Sequence, residues 1–229
     1  MRNSWKWKIK GITSILCAVI FITLTIIIGV TKEEPIPIDA SIRDFFYDIR
    51  GEKYGFCYWF FKIFTEFGDM FVIAFITLVF VIYTKCDYRA IIMGLGILSS
   101  VMLCIGLKEI FVRERPIEEL RWAYEPTASY PSGHSTAAGF MYTYLFYVAY
   151  HSKKSNLFKR ITYTLCVSLI VIVLISRLVL GVHYFTDVIA GVSVGIMVAC
   201  FCMKIYKICD KLDILKEGIF DIVQRGIDE

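Results

Sequence analysis

Three short polar stretches interrupt an otherwise apolar chain, and they hold most of the side chains suited to chemistry. The first is Lys108-Glu109-Ile110-Phe111-Val112-Arg113-Glu114-Arg115-Pro116. The second is Pro131-Ser132-Gly133-His134, and the third runs from Ser176-Arg177 through His183 to Asp187. Together they supply two of the 3 histidines, several cations, a carboxylate and a Ser-Gly turn. Such a set suits gripping a phosphoryl group and transferring it. Lys108 and Arg115 fall two turns apart on one face if a helix runs on to Pro116, which then stops it. A cation pair on one face suits a phosphate dianion, with Arg adding a two-pronged fork that Lys lacks. Cations at a helix end also commonly snorkel or complement the dipole.

Ser132 can cap the helix that follows, and Gly133 lets backbone approach a ligand closely. Free N–H groups at that N-terminus form an anion site with His134 beside it. A capped helix alone accounts for Ser132 and Gly133, but not for the histidine. His183 and Asp187 are spaced i, i+4 at the start of a helix. A carboxylate bonded to one ring nitrogen fixes the tautomer and leaves the other nitrogen as nucleophile or base. A structural hydrogen bond is the other reading of that pair. Arg177 ends the preceding helix, and a tight turn through Gly181 brings it near. His151, beside Lys153 and Lys154, is a bystander.

The elements that must position these groups are membrane helices. The chain is 57% hydrophobic over 229 residues, with a mean hydropathy of +0.63, more apolar surface than a soluble domain requires. Spanning a bilayer as a helix takes about 20 apolar residues. Runs near that length occur at 11–30, 70–84, 90–107, 135–150, 161–175 and 188–203, some needing flanking residues. The expectation is an all-α polytopic membrane protein, one domain over 1–229, with six transmembrane helices. The run 11–30 follows Arg2, Lys6, Lys8 and Lys10 like a signal peptide, but it is too long and lacks a small-residue cleavage site. It reads as a retained first helix.

Residues 31–67 form the longest polar connection before the motifs. Ile42, Phe45, Phe46 and Ile49 recur there at helical spacing, followed by Tyr58-Trp59-Phe60-Phe61. Two placements fit: headgroup level, or a helix packed on the outside of the bundle. Ser99, Ser100, the pair Gly94/Gly96 and the small-xxx-small pair Gly191/Gly195 suit close helix contacts. The 8 cysteines fall mostly in apolar runs and read as packing residues, not as a disulfide framework or a zinc site.

Orientation follows from the basic residues of the connections. With the N-terminus inside, the inner segments hold fifteen of the 25 Lys and Arg. They comprise the four before the first run, Lys85, Arg89, Lys153, Lys154, Lys159, Arg160 and five in the cytoplasmic tail 204–229. Both termini then lie inside, and all three polar stretches reach the outer face. Net charge is only +4, and the basic residues form no stripe that would hold a nucleic acid.

The order Lys108-(x6)-Arg115-Pro116, Pro131-Ser132-Gly133-His134, Ser176-Arg177-(x5)-His183-(x3)-Asp187 resembles the three-part signature of the type 2 phosphatidic acid phosphatase superfamily. The stretch from Ser176 through His183 to Asp187-Val188-Ile189-Ala190-Gly191 is similar to its bacterial membrane members. The resemblance implies roles. His183 attacks phosphorus to form a phosphohistidine, with Asp187 orienting it, and His134 protonates the leaving oxygen. Lys108, Arg115, Arg177, Ser132 and the Gly133 amide hold the phosphoryl oxygens. It implies no metal and no cofactor, and as partner only a membrane lipid phosphate.

A lipid or anion transporter is the competing reading. Transporters usually place ionisable groups near the bilayer midplane, whereas here the apolar cores of the runs lack Asp, Glu, Lys, Arg and His. Within the enzyme reading, phosphatidylglycerophosphate, phosphatidate and undecaprenyl pyrophosphate present similar heads. Lys108, Arg113, Arg115, Arg121 and Arg177 exceed what one monophosphate needs, so the expected substrate is undecaprenyl pyrophosphate.

Overall fold

The computed structural model describes residues 2–31 and 35–212, with side chains from residue 11 onward. Among these residues the chain forms α-helices and no strand: α1 (Arg2–Thr31), α2 (Pro37–Ile49), α3 (Phe56–Thr65), α4 (Met70–Tyr83), α5 (Tyr88–Phe111), α6 (Gly133–His151), α7 (Asn156–Val179) and α8 (Phe185–Lys211). Four of the helix starts carry a side-chain cap. Asp69, Asp87, Ser132 and Ser155 each accept a first-turn N–H, of α4, α5, α6 and α7 in turn. The expected tail at 204–229 is helical as far as Lys211, and the remainder from 213 lies outside the described residues.

Four helical segments are long and apolar enough to cross a membrane: Gly11–Thr31, Tyr88–Phe111, Asn156–Val179 and Phe185–Lys211. The run 70–84 does not stand alone. Its helix α4 joins α3 across a short break with a bend of 51°, and the pair makes a fifth span if taken together. The aromatic stretch Tyr58–Phe61 thus belongs to a helix packed on α7. The run 135–150 became α6, which is not among the spanning candidates. It lies inside the bundle against α5, α7 and α8, so its many tyrosines need not face lipid.

The contact between α6 and α8 is the most extensive among the described helices. A Cβ added at Gly195 would stand 2.3 Å from the Thr136 carbonyl oxygen, and one at Gly191 would stand 2.5 Å from that of Ser132. Gly139 gives the same clearance from the other side, where a Cβ would meet the Val192 oxygen at 2.9 Å. The two backbones approach because no side chain intervenes. Gly96 does likewise for α5, where Phe140 fills the space; Gly94 faces nothing. Ser100 is buried and Ser99 exposed. Cys104, Cys166, Cys200 and Cys202 are buried and form no disulfide, as packing residues would.

The basic connections and the polar stretches occupy opposite ends. The rings of Tyr88, Tyr147, His151 and Tyr206 gather the start of α5 with the ends of α6 and α8. Lys85, Arg89, Lys153 and Lys154 lie in or beside the connections at that end. The connections 112–132 and 180–184 are at the other.

Candidate active site

Two of the helical placements expected for the site residues are not what the chain does. α5 does not run on to Pro116. It ends at Phe111, and Val112 takes a left-handed conformation (φ 41°). Arg115 therefore sits on a loop, not two turns above Lys108 on one face. Likewise His183 and Asp187 do not share a helical face. His183 lies in the turn before α8, while Asp187 is in its first turn and folds back to accept the Tyr184 N–H at 2.9 Å. Gly181 makes the turn at φ +69°, a conformation that favours glycine.

The site residues converge nonetheless. Lys108 Nζ donates to the Ala128 carbonyl and, at 3.2 Å, to Thr127 Oγ1. Arg115 reaches the same segment, donating to the Thr127 carbonyl at 2.7 Å and the Ala128 carbonyl at 3.3 Å. Its Nη1 also donates to the Val182 carbonyl at 2.7 Å and stands 3.1 Å from His183 Nε2. A guanidinium only donates, so Nε2 accepts and carries the ring's lone pair. The proton is then on Nδ1, which faces Ser129 Oγ at 3.4 Å and Asp187 Oδ2 at 3.7 Å. Ser129 donates to Asp187 Oδ2 at 2.6 Å, so the serine stands between ring and carboxylate. Ser132 ties the second stretch to the third, its N–H donating to the Asp187 carbonyl at 3.0 Å.

Electrostatics favour a neutral imidazole. Burial, then the charges of Arg115, Arg177 and Lys108, hold His183 well below the usual imidazole range. Burial also brings Arg115 down to about 10, which leaves it charged at neutral pH. Arg177 is fully enclosed. It donates to Thr65 Oγ1 at 2.8 Å and pairs with Glu125, whose other oxygen is 3.9 Å from Arg115. Among the described residues its Nε is buried without a hydrogen-bond partner.

A cavity of about 400 Å³ opens beside these groups. Lys108, Glu125, Thr127, Gly133 and His134 line its polar end, and Ile97, Val101, Ile105, Ala137 and Phe140 its apolar end. A Cβ on Gly133 would meet only the Cys104 sulfur, at 3.8 Å, so no protein atom crowds that backbone and a ligand has room there. His134 Nε2 lies 4.0 Å from Asp69 Oδ2.

Sequence reasoning missed Thr65, Asp69, Glu125 and Ser129, which carry no motif. It counted Arg113 and Arg121 as spare charge. Arg113 is instead buried between Asp39 and Asp187, and Arg121 donates its Nε to the Pro116 carbonyl at 2.7 Å.

The PAP2 superfamily's sequence model matches residues 89–210. The lipid A 4'-phosphatase of Porphyromonas gingivalis is 27% identical over 179 residues, covering 72% of each chain. The phosphatidylglycerophosphatase B of Bacillus subtilis is 36% identical over 92 residues, 40% of this chain and 45% of that one. In fold, the chain superimposes on the transmembrane PAP2 type phosphatidylglycerolphosphate phosphatase from Bacillus subtilis with a TM-score of 0.70 at 24% identity, over 85% of this chain and 96% of the other. It superimposes on Aquifex aeolicus LpxE with a TM-score of 0.56 at 23% identity, over 70% and 93%.

Proposed function

The chain belongs to the PAP2 superfamily and is a membrane enzyme that hydrolyses phosphoric esters of lipids; on that premise we propose that it works through a phosphohistidine on His183. One observation carries the reading: Nε2 accepts from Arg115 and so carries the ring's lone pair among a cluster of cations, where an arriving phosphate takes over the Arg115 N–H and frees it. Nε2 attacks phosphorus, the bond from phosphorus to the lipid oxygen breaks, and His134 gives that oxygen a proton. The lipid alcohol leaves. Water then attacks the phosphohistidine, His134 takes a proton from it, and inorganic phosphate departs. Lys108, Arg115, Arg177, Ser132 and the Gly133 N–H meet the charge on the phosphoryl oxygens as it shifts. The unpartnered Nε of Arg177 and the open space beside Gly133 support this use. An arriving phosphate displaces Glu125 from Arg177 and replaces loop carbonyls as the partner of Lys108 and Arg115.

The apolar end of the cavity receives the root of the lipid chain. The proposed topology has six crossings, with α6 as the enclosed one and α3–α4 as a bent one. The site then lies at the outer leaflet, because the basic connections are at the opposite end.

For the substrate, the charge inventory favours a lipid phosphomonoester of the phosphatidylglycerophosphate kind. Arg113 and Arg121 are engaged elsewhere, so the surplus that pointed to a pyrophosphate shrinks to three cations, two of them beside Glu125. The outward orientation favours undecaprenyl pyrophosphate, a carrier released during wall synthesis, and it stands as the second reading. Phosphate release from a panel of both, with phosphatidate and a lipid A 4'-phosphate, decides between them using purified protein in detergent. The monoester should have the highest kcat/KM; a higher value for undecaprenyl pyrophosphate makes it the substrate. No release from any member would overturn the enzyme reading.

A further inference from the structure

Helix α2, in the connection that carries no motif, sends one side chain to the catalytic carboxylate. Asp39 is completely buried. Its Oδ1 accepts the Thr186 N–H at 2.9 Å, and its Oδ2 accepts Thr186 Oγ1 and Arg113 Nη2, each at 2.7 Å. Arg113 Nη1 turns the other way, donating to Asp187 Oδ1 at 2.5 Å and to Thr186 Oγ1 at 2.9 Å. The guanidinium lies over the Tyr184 ring, 4.5 Å from its centroid. With Oδ1 so held, Asp187 presents Oδ2 to Ser129, the Tyr184 N–H and the His183 ring.

The charges add in a way that suits the reaction. A simple Arg113–Asp187 pair would have no net charge left for the ring. Asp39 shares the guanidinium, so the three carry one net negative charge behind a neutral imidazole. When Nε2 bonds to phosphorus the ring gains a positive charge, and that excess negative charge meets it. We infer that Asp39 and Arg113 are positioning residues of the phosphotransfer, through which helix α2 orients Asp187 and leaves a net negative charge behind His183. The inference rests on His183 being the nucleophile.

Steady-state kinetics of Asp39→Asn and Arg113→Gln in detergent, beside wild type and His183→Ala from the same preparations, test it. Each positioning variant should lose kcat by roughly 10- to 100-fold, the cost of misplacing a reacting group by about an ångström. KM should stay within about twofold of wild type, because neither residue belongs to the phosphate-holding set. Their pH profiles should separate. The ring is faced by Arg115, Lys108 and Arg177 on one side and by Asp187 and Ser129 on the other. Arg113→Gln leaves two uncompensated carboxylates, so the acid limb of kcat/KM should move up. Asp39→Asn leaves none, so it should not. A merely structural tie between α2 and α8 would not produce that opposition. Folded variants with wild-type kcat, or with the loss wholly in KM, would overturn the inference while wild type remained active and His183→Ala inactive. An inactive wild type or an active His183→Ala would instead fault the underlying mechanism. If Asp39→Asn does not fold, Thr186→Val decides, since it removes one hydroxyl from the chain and keeps both charges. A several-fold lower kcat at unchanged KM supports the inference, and an unchanged kcat overturns it.

Discussion

In the proposed mechanism His183 and His134 divide the chemistry between them, and substitution should separate their contributions. His134→Ala should slow turnover by roughly 10² to 10⁴, the usual worth of a general acid. The loss should shrink on a substrate whose leaving group needs no proton; an equal loss there would reassign His134. The neutral His183 sets a pH expectation. Its proton-binding pKa is pushed below the ordinary 6.5, so the nucleophile should survive acidification past that value. The acid limb of kcat/KM should accordingly lie below 6.5 once substrate ionisation is subtracted; a limb above it would mean that the ring is charged in the resting enzyme. By the same sign, this group's contribution to stability is present above pH 6.5 and fades as the unfolded chain takes up its proton below it. Glu125→Gln should remove the carboxylate that competes with phosphate for Arg177, so inorganic phosphate should inhibit several-fold more strongly. Weaker inhibition would show that Glu125 helps to hold the anion. The motif residues themselves were legible because their chemistry is rare in an apolar chain. Glu125, Ser129 and Asp69 were not, since acids and serines in a loop look like solvated surface until the fold encloses them.

At the scale of elements, the site depends on how closely α8 lies on α6. Gly191 and Gly195 were recognisable from their spacing, and both sit where the α6 backbone passes. Gly195→Ala must push against the Thr136 carbonyl, which would lie 2.3 Å from the new Cβ. Overpacking of this kind costs about 1–3 kcal/mol, so thermal stability in detergent should fall. Activity should fall further than stability, because α6 carries Ser132 and His134 while α8 carries Asp187. Gly94→Ala, where a Cβ meets nothing, should change neither. A harmless Gly195→Ala would mean that the interface is looser than its distances. The helices were legible from their apolar runs, but their ends were not. Periodicity carries α5 past Phe111, whereas the chain turns at Val112 to bring Arg113 and Arg115 inward. The depth of α6 was hidden for a related reason: a helix wrapped by other helices need not be as apolar as one bathed in lipid.

For the molecule as a whole, the account joins a membrane fold to an outward-facing site. Single cysteines placed in 117–130, in a protein with Cys57 replaced by serine, should react with an impermeant thiol reagent on intact cells. Protection there, with labelling of the 152–155 connection, would invert the topology. Activity should withstand excess EDTA and yield to vanadate, because the proposed mechanism meets the phosphate charge with Lys108, Arg115 and Arg177; a chelator-killed activity restored by Mg²⁺ would contradict that. The all-α membrane class and the three polar stretches that the fold brings together were visible in the sequence. The use of helix α2 was not, because Asp39 approaches Arg113 and Asp187 only after the chain has crossed the bundle several times. The most direct measurement is rapid acid-free quenching with a lipid substrate labelled in its terminal phosphate. Wild type should carry the label as an acid-labile adduct located on His183 by mass spectrometry, and His183→Ala should neither carry label nor release phosphate. Full turnover without a covalent adduct, or turnover surviving in His183→Ala, would contradict the account.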